Sequence, residues 1–87
     1  MAGNFVKANN LYLSIPSDKY TILGLIWGRD YTNINSVAYA FAASVGAKRV
    51  FLYKLGAEGN ASITAEISGR DITFATKSID EFYYFHF

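Results

Sequence analysis

Leu11, Leu13 and Ile15 alternate with Tyr12 and Ser14, the period-two pattern of a strand with one wet face. Pro16-Ser17-Asp18-Lys19 supplies turn residues after it. From Tyr20 to Trp27, an extended chain places Tyr20, Ile22 and Ile26 on one side and Leu23, Leu25 and Trp27 on the other. A strand apolar on both sides belongs in the middle of a sheet. Gly24 inside it marks a bulge or a close backbone approach. Gly28-Arg29-Asp30-Tyr31-Thr32 reads as a loop, and Asn33 or Asn35 as the cap of a helix. Ile34, Val37, Phe41 and Val45 recur at helical spacing, and Gly46 stands where a helix C-terminal glycine is expected. The pattern therefore predicts a helix from about residue 34 to about residue 46.

Residues 50–53 (Val-Phe-Leu-Tyr) form a strong strand core flanked by Lys48, Arg49 and Lys54. A turn follows over Gly56-Ala57-Glu58-Gly59-Asn60, then Ile63, Ala65 and Ile67 alternate with Ser62, Thr64 and Glu66. Ser68-Gly69-Arg70-Asp71 turns into a further strand over residues 72–76, which predicts a three-strand meander. Ser78-Ile79-Asp80-Glu81 has the form of a helix capping box, so a short terminal helix is predicted, although residues 82–87 are also strongly β-prone. The expected fold is α+β, in the order ββαβββα: a mostly antiparallel sheet of about five strands with the main helix on one face. Residues 1–9 are expected to be a loosely ordered lead-in to a single domain spanning 1–87. Gly28-Arg29-Asp30-Tyr31-Thr32 recurs as Gly69-Arg70-Asp71-Ile72-Thr73, and two similar turns explain the echo more simply than a duplication.

Composition adds a constraint. The chain has 87 residues, enough for one domain with a thin core margin. It is 52% hydrophobic and 17% aromatic but only 17% charged, so there are few charges to solvate its surface and many rings to hide. Burial of apolar area between chains resolves that imbalance, which predicts a homo-oligomer, a dimer being favoured. The net charge of +1 is too small for a general attraction to nucleic acid or anionic lipid. The longest apolar runs, Ile22 to Trp27 and Val37 to Ala43, are far too short to span a bilayer, and the N-terminal residues lack the apolar core of a secretory signal. No membrane association is expected. The absence of cysteine favours a cytoplasmic setting, because a secreted domain this small usually carries disulfides.

Candidate chemistry is sparse. His86 is the only histidine and stands among aromatic residues. No nucleophile signature accompanies it, the carboxylates are scattered, and no phosphate-cradling glycine motif is present. The expectation is a non-enzymatic protein with no catalytic residues, metal site or cofactor.

The segment from Tyr31 through Ala47 contains no charged residue, whereas an exposed helix face normally carries several. That absence points to an interaction protein of the regulator, adaptor or inhibitor type, self-associating and binding a further macromolecule, preferably a protein. Its contact residues are expected to be Tyr39, Ala42 and Ala43, followed by Trp27, Arg29 and Tyr31. Two alternatives come from other classes. Arg49, Phe51 and Tyr53 alternate on one strand face and suit base stacking, although five positive and five negative charges cancel across residues 48–87 and disfavour nucleic acid. A small-ligand site would be a concave aromatic pocket lined by Tyr and Phe near the C-terminus.

Overall fold

Alternation with period two runs through nearly the whole chain, and the protein is all-β. The computed structural model describes residues 6–8, 11–30, 32 and 34–87. Its strands are β1 (Val6–Ala8), β2 (Leu11–Ser14), β3 (Thr21–Asp30), β4 (Asn35–Ser44), β5 (Arg49–Glu58), β6 (Ser62–Ser68), β7 (Asp71–Lys77) and β8 (Glu81–His86). A five-stranded sheet has the order β1-β8-β3-β4-β5 and a three-stranded sheet the order β2-β7-β6. Every pairing is antiparallel. No helix occurs among the described residues, and so none long and apolar enough to cross a membrane.

The α+β expectation is thereby overturned, along with the order ββαβββα and the count of about five strands. The helix expected over residues 34–46 is the strand β4. Val37, Phe41 and Val45 are four residues apart, and a spacing of four puts side chains together on a helix and on one face of a strand alike. Tyr39 and Ala43 settle the ambiguity: they share the parity of Val37 and Phe41, and all four are buried. Alanine's helix propensity is a weak preference, and two full ladders of hydrogen bonds, to β3 and to β5, override it. The terminal helix is replaced by β8. Ser78 adopts a φ of 61° in the turn before it, and β8 inserts between β1 and β3.

Three smaller expectations also change. Gly28, Arg29 and Asp30 lie within β3 rather than in a loop. Gly69 has a φ of 61° and occupies a tight turn, so the echoed motif has two unlike conformations. The meander over residues 48–76 is split: β6 pairs with β7, but β5 crosses to the other sheet and pairs with β4. Of the expected lead-in, residues 6–8 form β1, and residues 1–5 and 9 lie outside the described residues.

The two sheets pack face to face over one core. Ile22, Ile26, Val37, Phe41 and Phe82 come from the larger sheet, and Leu11, Leu13, Ile63, Ile72 and Phe74 from the smaller. Phe41 and Phe74 meet edge to face with centroids 5.3 Å apart, a geometry favoured by the ring quadrupoles. The Tyr39 hydroxyl accepts a hydrogen bond from the Ile63 amide at 3.4 Å, which ties the two sheets together inside the core.

Candidate functional site

The outer faces of the two sheets differ sharply in chemistry. On the smaller sheet the outward positions are Tyr12 and Ser14 on β2, Asp71, Thr73, Ala75 and Lys77 on β7, and Ser62, Thr64, Glu66 and Ser68 on β6. Nearly every one can hydrogen-bond to water. Ser14 donates to Asp71 Oδ1 at 2.7 Å. The hydrogen bonds from Ser14 and then Tyr12 hold the Asp71 carboxyl below its ordinary value. The hydrogen bond to Asp71 holds the Tyr12 phenol above its ordinary value.

The larger sheet presents the reverse. Register places its outward residues on β3, β4 and β5 in five rows: Thr21–Ser44–Arg49, Leu23–Ala42–Phe51, Leu25–Ala40–Tyr53, Trp27–Ala38–Gly56 and Arg29–Ser36–Glu58. The three middle rows are apolar apart from one phenol, and none of their side chains is charged. Leu23 is 54% exposed, Phe51 56% and Tyr53 72%. On the β8 side Tyr83 continues the face, while Phe85, in the same register, is buried. Trp27 and Tyr83 stack with centroids 5.8 Å apart, and Phe85 and Phe87 meet edge to face at 5.0 Å.

The relief follows from residue size. Along β4 every outward side chain is small (Ser36, Ala38, Ala40, Ala42, Ser44), while β3 and β5 carry large ones beside it. The result is a groove with β4 as its floor and walls two strand spacings apart, about 10 Å. Hollows lie at its two ends. One of about 640 Å³ adjoins Trp27, Arg29, Ala38, Glu58 and Tyr83, and one of about 780 Å³ adjoins Lys19, Leu23, Ala42, Phe51 and Phe87.

Charge is confined to the ends. Arg29 Nε donates to Glu81 Oε1 at 3.2 Å, and the Tyr83 hydroxyl donates to the same oxygen at 3.4 Å. Glu81 is 2% exposed and the Arg29 side chain 57%, so the guanidinium lies over a buried carboxylate. Glu58 stands in the same row across Ser36. At the opposite end Arg49 closes the row with Thr21 and Ser44, next to Lys48.

Of the contact residues expected from sequence, Ala42, Trp27 and Arg29 share this outer face, whereas Tyr39 and Ala43 point into the core. Tyr31 lies outside the described residues. Arg49, Phe51 and Tyr53 do stand together, on the edge strand β5. Sequence reasoning missed Leu23, Leu25 and Ala38 as parts of one surface, because only the register across β3, β4 and β5 brings them together. His86 is half-buried with its ring stacked on Tyr84. Among the described residues no three His, Asp or Glu side chains gather to hold a metal ion.

Compared with known proteins, the chain matches no family model, no curated protein and no solved structure.

Proposed function

We propose that this protein is a non-enzymatic interaction module that docks a protein surface on the outer face of its five-stranded sheet. The contrast between the two outer faces carries the reading. One is built of hydroxyls and charges suited to water, while the other holds three uncharged rows with polar rows at both ends. Such an apolar centre with a polar rim is the anatomy of a protein interface, and a contiguous exposed apolar patch marks a binding surface. Trp27, Ala42 and Arg29 belong to the contact, joined by Leu23, Leu25, Phe51 and Tyr53. A cytoplasmic setting is part of the proposal, supported by the absence of cysteine.

The test is the double substitution Leu25→Lys/Phe51→Lys. Both side chains face outward, so in dilute solution the unfolding midpoint should stay close to that of the wild type. An environment-sensitive apolar dye should bind the dilute wild type and lose its signal on the variant. Equal dye binding by the two proteins, or none by either, would remove the docking reading.

One observation favours a second reading. Phe51 and Tyr53 are exposed beside Arg49 on an edge strand, which suits stacking of single-stranded bases. Glu58 and the Arg29–Glu81 pair at the other end of the same face weigh against it. This reading requires affinity for a single-stranded oligonucleotide that falls steeply with salt.

A further inference from the structure

We infer that the occupant of this face is a second copy of the same chain, laid face to face with its β4 antiparallel to the first. This rests on the docking reading above and names its partner.

Charge selects the orientation. One end row holds Arg49, with Lys48 next to it and Lys19 at the adjoining hollow. The other end row holds Glu58 and the Arg29–Glu81 pair. A two-fold axis crossing the strands at the Leu25–Ala40–Tyr53 row exchanges the two end rows and sets each strand over its own counterpart. Arg49 of one copy then stands over Glu58 of the other, and symmetry repeats the contact at the far end. A two-fold axis parallel to the strands would set the Arg49 ends over each other, and like charges across an interface repel.

Relief agrees with charge. The same axis exchanges the Phe51 row with the Gly56 row, so an exposed ring of each copy meets a position without a side chain on the other.

Area is sufficient. The ten residues each of β3, β4 and β5 and the six of β8 cover roughly 570 Å² in projection at ordinary strand rise and spacing. Two copies cover roughly 1,100 Å², and protruding side chains raise the accessible area past the roughly 1,200 Å² at which stable interfaces begin.

Three of the four edge strands compete poorly. β1 has three residues and β2 four. β5 carries Arg49, Lys54 and Glu58 and a register shift opposite Ala38 and Tyr39. Short, charged and bulged edges resist strand addition, which leaves β6, an edge of seven residues carrying Glu66, as the one edge alternative to the face.

A charge exchange tests the arrangement. Sedimentation equilibrium is measured on the wild type, Arg49→Glu, Glu58→Arg and the double variant, all with far-UV circular dichroism to show that each is folded. The wild type should dimerise. Each single reversal turns both symmetric contacts repulsive and should weaken the dimer about tenfold, while the double variant should return to within about threefold of the wild type. A wild type that stays monomeric into the millimolar range, or a double variant no better than the singles, overturns the antiparallel dimer. Dye binding by that monomeric wild type, lost in Leu25→Lys/Phe51→Lys, would show that the docking reading survives without the second copy. No dye binding would remove both. Retention of a single-stranded oligonucleotide at low salt, abolished by Arg49→Glu and not restored in the double variant, would also overturn the proposal.

Discussion

Gly24→Val should leave the chain unable to fold. β3 is flanked by β8 and β4, and Gly24 lies opposite His86 on one side and Phe41 on the other. A Cβ built at position 24 would collide with the Phe85 carbonyl oxygen and stand 2.8 Å from Phe41 Cζ and 2.9 Å from His86 Cα. Two of these three atoms are backbone, so relief requires prising β8 away from β3. Overpacking of a tight core costs about 1–3 kcal/mol even where side chains can shift. Alanine at this position should therefore lie near the upper end, about 3 kcal/mol. Valine adds two more methyl groups to the same space and exceeds what a domain with about 5–15 kcal/mol of total stability can absorb. Circular dichroism with urea titration checks both variants. A cooperatively unfolding Gly24→Val protein close to wild-type stability would mean that β8 does not lie against β3 here.

Phe41→Ala should cost about 4 kcal/mol, near the middle of the range for removing a buried ring. Phe41 is 1% exposed and meets Phe74 of the opposite sheet, so its loss opens a cavity where the two sheets are joined. The comparison with Phe51→Ala carries the functional point. Phe51 lies on the opposite face of the same sheet from that core, with more than half its surface in water. In dilute solution its removal should change stability by less than about 0.5 kcal/mol, as at other exposed sites. Urea denaturation of the two variants side by side measures the difference. A large ring that contributes little to folding, exposed on an uncharged face, is what the proposed docking surface requires.

Much of the strand content could be read from sequence because alternation leaves one parity apolar. β2 and β6 follow from Leu11–Ile15 and Ile63–Ile67 in that way; β3 is legible instead as a run apolar on both sides, in which Gly24 marks a bulge or a close approach, and the structure has the close approach. β4 escaped because Val37, Phe41 and Val45 satisfy helix and strand periods equally, and its alanines favour a helix when considered alone. β8 escaped because Ser78-Ile79-Asp80-Glu81 imitates a helix start. Ser78 and Glu81 act otherwise here: Ser78 makes a turn with positive φ, and the Glu81 carboxylate receives Arg29. The missing charge over residues 31–47 was legible, but its cause was not. Over β4 it belongs to a central strand with one face in the core and the other forming the small, uncharged floor of the groove, and not to the back of a helix. That is why Tyr39 and Ala43, expected as contacts on a helix, lie inside, while Ala42 lies outside. The candidate surface itself could not be read linearly. Leu23, Ala42 and Phe51 become neighbours only through the pairing of β3 with β4 and β4 with β5.

The most direct test uses alanine methyl groups as reporters. Ala38, Ala40 and Ala42 lie on the floor of the groove, and Ala75 is exposed on the hydrated face of the other sheet. Nuclear magnetic resonance with a soluble paramagnetic agent reads the solvent exposure of each methyl in dilute and concentrated protein. Docking of a second copy predicts that all four relax strongly when dilute, and that the three β4 methyls alone become protected on concentration. If the accessibility of those three relative to Ala75 does not fall as the concentration rises, a second copy does not cover this face.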